Sequence, residues 1–246
     1  RLIPRWIHAE NVKIGDFVKV PKLAQRDLDT EAGTGISYRF SDSNFLKFLG
    51  WYVAEGWCSE KKREIYLELN QTDLPIVYQL IQSFHSGAIR TRRRPELSDE
   101  VVELIFSSKK LSRWLKKNFG HLAPNKRLPE IFLNFSLIEL RKFLWEYFSG
   151  DGCLHKNNQN TEFSLRFTSA SEVLLRQIQL LLFNFGIAGS LDRIKREGKI
   201  NKFPHGRSYA VRDLFNLEIA GNQRKKLFPN LNQRIDKIFQ FQPLYP

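Results

Sequence analysis

Two stretches, KFLGWYVAEG from Lys47 to Gly56 and KFLWEYFSGDG from Lys142 to Gly152, constrain this chain more than any other feature. Each is an apolar, aromatic run that ends in a carboxylate followed by glycine, Glu55–Gly56 and Asp151–Gly152. Phe45, Leu46, Phe48, Leu49, Tyr52 and Val53 recur at helical spacing, which predicts a helix capped by Asp42 or Ser43 and ending near Gly56. In the second copy Ser136 opens the helix, and Glu139 three residues on completes a capping box. A helix C-terminus carries the negative pole of the dipole, so an acid there is electrostatically unwelcome. A chain that does this twice needs a reason.

The order of elements beyond each stretch also repeats. After the first, REIYLELN alternates as a strand, DLPIVYQLIQSF reads as helix, AIRTRRR and VVELIFS as strands joined by the turn-like PELSDE, and KKLSRWLKKNF as helix. After the second come a strand, TEFSLRFTS, a helix, SEVLLRQIQLLLFNFG, a basic strand-rich region from Ile187 to Ile219, and a helical stretch after Asn222. LELNQTD parallels LRFTSAS, and VELIFSSKKLSRWL parallels FNLEIAGNQRKKLF. A period this long fits duplicated domains, not a solenoid. The expected division is an N-terminal extension over 1–40, a first domain over 41–135 and a second over 136–246. In the extension, apolar alternation around the Gly15–Asp16 turn predicts short strands, and DLDTEAGTGIS reads as a loop.

The 39 Lys and Arg against 26 Asp and Glu leave a formal charge of +13, which favours a polyanionic partner, nucleic acid before membrane. Two cysteines, Cys58 and Cys153, cannot build a disulfide framework or a four-cysteine zinc site and are expected to be buried thiols. Neither a transmembrane run nor a secretory leader is expected, and the location is read as intracellular. The absence of methionine and the start at Arg1 read as an excised or processed segment. The aromatics tempt a single-strand stacking role. However, Phe45, Phe48, Trp51, Tyr52, Phe143, Trp145, Tyr147 and Phe148 sit beside leucines at helical spacing and are expected in the core.

At its two helix ends the chain resembles the LAGLIDADG homing endonucleases, in particular the two-motif monomeric kind found in inteins. The motifs lie on FLGWYVAEG, Phe48 to Gly56, and LWEYFSGDG, Leu144 to Gly152. The segment NKRLPEIFLNFSLIELRKFL looks like the family segment that brings a basic residue near the cleavage centre, with Lys126 at the matching position. HAENVKIGDFVKVPK resembles the edge of an intein splicing domain, but the splice-junction residues are missing, so splicing is not expected. The resemblance implies an α+β protein of two pseudo-symmetric domains, with paired central helices and antiparallel saddle-shaped sheets over the DNA major groove. It implies a monomer without an obligate protein partner, which cuts both strands of double-stranded DNA at a long site using Mg2+, with Mn2+ substituting. Glu55 stands where the family more often has aspartate, and its extra methylene shifts one site.

In this scheme Glu55 and Asp151 hold the metal, and Lys126 with a second basic residue polarises water or steadies the phosphate. Lys237 is the first choice for that second base, with Arg234 and Lys225 behind it. From the residues alone two readings stay open: the acids could be helix-terminal surface charges and Lys126 an exposed loop lysine. Gly50 would let the first helix approach its partner closely, and Glu146 at the matching position makes that packing asymmetric. Gly56 and Gly152 have structural value in either case. DNA contacts are expected from alternating strand residues: Arg63, Tyr66, Glu68, Asn70, Arg90, Arg92 and Arg94 in the first domain. In the second they are Arg166, Thr168, Arg193, Lys195, Arg196, Arg207, Tyr209 and Arg212, with Asn157, Asn158 and Asn160 reaching flanking DNA. The competing function is a nucleic-acid-binding maturase or regulatory relative of the same fold, weak or inactive as a nuclease.

Overall fold

The structure is a computed structural model that describes residues 6–14, 16, 38–95, 97–98, 100–156, 163–196, 200–202, 208–210, 212–229 and 231. Helix α1 spans Ser43–Glu55, and its N-cap Asp42 accepts from the backbone N–H groups of Asn44 and Phe45. The chain passes from α1 directly into strand β1, Gly56–Ser59, then β2, Glu64–Asn70, helix α2, Leu74–Gln82, strands β3, Ile89–Arg93, and β4, Val101–Ser107, and helix α3, Lys109–Phe119. The second half runs α4, Leu137–Asp151; β5, Gly152–Lys156; β6, Phe163–Ser169; α5, Glu172–Leu182; β7, Ser190–Ile194; β8, Ile200–Lys202; β9, Ser208–Ala210; β10, Leu214–Ile219; and α6, Arg224–Leu227. The capping box of Ser136 and Glu139 on α4 is present.

The strand order is β1-β2-β4-β3 in one sheet and β5-β6-β10-β7 in the other, all pairs antiparallel. One cross-sheet row aligns Gly56, Leu67, Leu104 and Thr91; the equivalent row aligns Gly152, Phe167, Leu217 and Leu191. The duplication is therefore expressed residue by residue, in two antiparallel sheets of matching order within an α+β fold. The strands β8 and β9 form a separate two-stranded ribbon.

Periodicity along the chain does not predict β1 and β5. Both begin at the motif glycine itself, and GWCS and GCLHK are too short and too mixed to announce a strand; pairing with β2 and β6 makes them one. The strands expected around Gly15–Asp16 are not formed by the described residues there, which hold a single 3-10 turn, Ala9–Asn11, with Ile14 exposed. Of the final helical stretch the described residues hold α6 and, just beyond it, the buried Phe228 and Leu231.

The two motif helices, α1 and α4, pack against each other at the centre of a continuous core. An ideal Cβ on Gly50 would lie 2.6 Å from the Phe143 carbonyl oxygen and 2.9 Å from the Tyr147 backbone nitrogen, so the glycine is what admits α4. One turn on, Gly150 plays the same part from the other side, its Cβ position 2.5 Å from the Cβ of Ala54. Where α4 has Glu146 in place of a small residue, its carboxylate accepts a hydrogen bond from the Trp51 indole at 2.8 Å. The asymmetry is thus filled, not left as a gap. Of the motif aromatics, all but the partly buried Trp145 are in the core. Cys58 is buried, but Cys153 is exposed, contrary to expectation, because its pairing with Arg166 turns it to the open face of the sheet.

Candidate active site and nucleic-acid interface

Because α1 and α4 run side by side, their last residues come together. The Cβ position of Gly150 lies 3.7 Å from the Glu55 Oε1, so the Glu55 side chain leans on the turn that carries Asp151. Gly56 and Gly152 have φ of −97° and −94°, so neither is a left-handed cap. They are needed for room: a Cβ on Gly56 would lie 2.7 Å from the Tyr52 carbonyl oxygen, and one on Gly152 would strike the Phe148 ring and carbonyl. The chain turns sharply from helix to strand there, which holds each acid at the seam between helix and sheet.

Lys126 comes after a 3-10 turn, Ala123–Asn125, beyond α3, and it is 3% exposed. Its Nζ donates to the carbonyl oxygens of Tyr52 and Gly56, each at 2.6 Å, and stands 3.9 Å over the Tyr52 ring. A cation at this position answers the negative end of α1. The exposed-lysine reading is therefore excluded. Neighbouring contacts fix the loop: the Ser171 hydroxyl donates to the Lys126 carbonyl at 2.6 Å, and Gln177 holds both the N–H and the carbonyl of Leu128.

Burial, then the charges of Glu68 and Asp73, push the Glu55 carboxyl up to about 7, and Lys126 pulls it back. Burial and the charge of Glu55 hold Asp151 well above the usual carboxylate range, again opposed by Lys126. Burial brings Lys126 down to about 7, against the pull of Cys58, Asp151 and Glu55. The two acids and the lysine thus form one electrostatic unit. Two crowded carboxylates with raised proton affinity are a donor set that a hard divalent cation fits. Among the described residues no group of three or more His, Cys, Asp or Glu is gathered for a metal.

Of the candidates for a second base, Lys237 and Arg234 lie outside the described residues. Lys225 is exposed on α6, whose last carbonyls accept from Arg141 about three turns of α4 before Asp151. That contact sets α6, and Lys225 with it, toward the Arg141 end of α4.

Strand alternation puts Trp57 and Ser59 of β1, Glu64, Tyr66, Glu68 and Asn70 of β2, Glu103 and Ile105 of β4, and Arg90 and Arg92 of β3 on the sheet face away from the helices. Trp57 stacks on Tyr66 with centroids 3.9 Å apart, and the Tyr66 hydroxyl donates to Glu64. Asn70 is committed to a turn, accepting from the Thr72 N–H and hydroxyl, each at 3.1 Å. Arg63 lies just before β2 with φ 60°. On the second sheet Arg166 and Thr168 share the open face, Arg166 paired with Glu218 at 2.8 Å and Thr168 donating to Asn216 at 2.9 Å. Arg193 does not join them. Its pairing with Phe215 sets it on the helix side of β7, with Asp213 as its partner at 2.5 Å. Lys195 and Arg212 are exposed, and the Arg196 N–H donates to Asp213. Arg207, Asn157, Asn158, Asn160 and the side chain of Tyr209 lie outside the described residues. Sequence reasoning missed Trp57 and Glu103. The one signal was a lone carboxylate inside the apolar strand VVELIFS.

Known proteins resemble this chain in sequence or in fold. Residues 139–227 match the family model of a LAGLIDADG-like domain. The chain is 25% identical over 228 residues to the ATP-dependent DNA helicase Hel308 of Methanocaldococcus jannaschii, covering 89% of this chain and 17% of that protein. It is 30% identical over 212 residues to a DNA polymerase of Thermococcus aggregans, covering 80% of this chain and 10% of the polymerase. The chain therefore spans a small part of either relative. Among solved structures, mesophilic variants of the homing endonuclease I-DmoI superpose with a TM-score of 0.51 at 16% identity, covering 79% of this chain and 98% of theirs.

Proposed function

We propose, from the premise that this chain has the LAGLIDADG fold and carries a LAGLIDADG-like domain over residues 139–227, that it is a site-specific double-strand DNA endonuclease. The observation that carries the reading is the meeting of Glu55, Asp151 and Lys126 at the adjoining ends of two helices, below two sheets whose open faces are rich in polar side chains. Phosphodiester hydrolysis forms a bond from water oxygen to phosphorus, breaks a bridging P–O bond and delivers a proton to the leaving oxygen. A divalent ion, Mg2+ or Mn2+, held by Glu55 and Asp151 would supply the polarised water and the charge at the phosphate. The protein's own part is to aim both carboxylates at one seam, to set Lys126 where its charge opposes the burial that raises their proton affinity, and to lay the duplex across the sheets as a monomer. The small share of polymerase and helicase relatives that the chain matches supports an endonuclease segment carried within a host protein over the host activities themselves.

A binding-only relative of the fold is the second reading, favoured by the commitment of Lys126 to two backbone carbonyls. Selection from a randomised duplex library in magnesium separates the two. The endonuclease reading expects cut ends at one sequence, whereas bound but intact duplex would support the alternative.

A further inference from the structure

Strand β3 and the residue after it carry Arg90, Arg92 and Arg94 at alternate positions, hence on one face of the sheet. Arg90 pairs with Glu64 and Arg92 with Glu103, while Arg94 reaches Glu103 at 2.9 Å and Glu68 at 3.4 Å. The exposures run in opposite directions. The side chains of Arg90 and Arg92 are 61% and 59% exposed, whereas those of Glu64 and Glu103 are 14% and 0%. The acids lie beneath and the guanidiniums project.

A guanidinium offers five donors in a rigid planar fork, so a carboxylate behind it leaves an outward edge. Pairing also cancels much of the charge that would draw the arginine to a phosphate, and a held side chain loses little freedom on binding. Such a group suits a base edge better than a backbone, and the base whose O6 and N7 accept a bidentate arginine is guanine. Residues two apart on a strand are about 7 Å apart, which is two base-pair steps of about 3.4 Å. On the second sheet the matching positions, set by the pairs Thr91–Leu104 and Leu191–Leu217, are Ser190 and Asp192. Neither can donate a bidentate fork.

Resting on the duplex-cleaving reading above, we propose that Arg90 and Arg92, positioned by Glu64 and Glu103, read two guanines about two base-pair steps apart in the half-site under the first sheet. The half-site under the second sheet lacks that pair. Glu103 is a positioning residue for specificity; it touches the arginines, not the DNA.

The test sequences the duplexes bound and cut by the full chain from a randomised library, for wild type, Arg92→Lys and Glu103→Gln. Wild type should enrich two guanines with that spacing in one half-site alone. Arg92→Lys keeps the charge on an exposed side chain and loses the fork. It should lower selection at one of the two guanines by roughly tenfold, with the second half-site selected as in wild type. Glu103→Gln should relax the same position and steepen the salt dependence of generic binding, because Arg92 is released to phosphate. If Glu103→Gln fails to fold, Arg92→Lys decides. A selected site with no such guanine pair, or one whose profile survives Arg92→Lys, overturns this inference and leaves the endonuclease standing. Enrichment of no duplex sequence by wild type overturns both.

Discussion

The Lys126 ammonium lies 2.6 Å from the carbonyl oxygen of Gly56, the residue just after the acid of the first motif helix. This one contact ties a loop outside both motif helices to the point where α1 becomes β1. It also accounts for an acid at a helix C-terminus: the lysine brings the positive charge that both the dipole and the carboxylates call for. The same ammonium raises the ionisation of Glu55 and of Asp151, so structure and proposed chemistry share one residue.

If both acids hold the metal, Asp151→Asn should slow cleavage by roughly two orders of magnitude or more, the scale of losing one preorganised electrostatic group. Folding and target binding should persist. Glu55→Gln should act similarly, whereas Glu55→Asp shortens the reach by a methylene and should slow one strand more than the other. Strand-resolved cleavage of an end-labelled duplex reads this as accumulating nicked product. Full double-strand cleavage by the Asp151→Asn, Glu55→Gln double variant would end the catalytic assignment.

The pH dependence of stability rests on the same triad. Glu55 rises from 4.5 to about 7 on folding, so its contribution is present below about 4.5 and is lost as pH climbs to about 7. Asp151 shifts in the same direction. Lys126 falls from 10.5 to about 7, so the unfolded chain binds the extra proton between those values and stability returns as pH rises above about 7. The Tm measured in a chelator should therefore dip near pH 7, and magnesium should raise it more at pH 8 than at pH 5. Glu55→Gln should flatten the acidic limb; an unchanged profile in that variant would refute the assignment of the limb to Glu55.

Gly50→Ala should cost at least about 1–3 kcal/mol, the range for overpacking a core. The new methyl meets the backbone of α4 at Phe143 and Tyr147, which cannot rotate away. Urea unfolding should show a lower midpoint with an unchanged slope. A stability equal to wild type would mean that the helices can separate freely.

Glu146→Ala removes the acceptor of the Trp51 indole and leaves a buried donor unpaired, at about 1–3 kcal/mol. Glu146→Gln keeps an acceptor and should cost less. Equal losses in the two variants would show that volume, not the hydrogen bond, matters at this place.

Generic duplex binding should weaken steeply with salt, since phosphate contacts release counterions, and light scattering should show one chain per duplex. A flat salt response together with an obligate dimer would refute the proposed mode of binding.

The two motif helices, their caps and the order of most elements were legible in the sequence because they are local. Helical spacing from Phe45 to Val53, the Ser136–Glu139 box and the alternation of REIYLELN each depend on neighbours along the chain. Glu55 and Asp151 stood out because a carboxylate contradicts its helix end, and such a contradiction is visible without coordinates. The rest depended on residues far apart in sequence. β1 and β5 exist because β2 and β6 offer edges to pair with. The burial of Lys126 required carbonyls from Tyr52 and Gly56, and the loss of Arg193 from the open face was decided by its register against β10. Glu103 became a buried brace only once β3 laid its arginines beside it. Periodicity says which face a residue takes within its own element; long-range pairing alone determines what that face meets, because hydrogen-bond register and side-chain packing are set between elements.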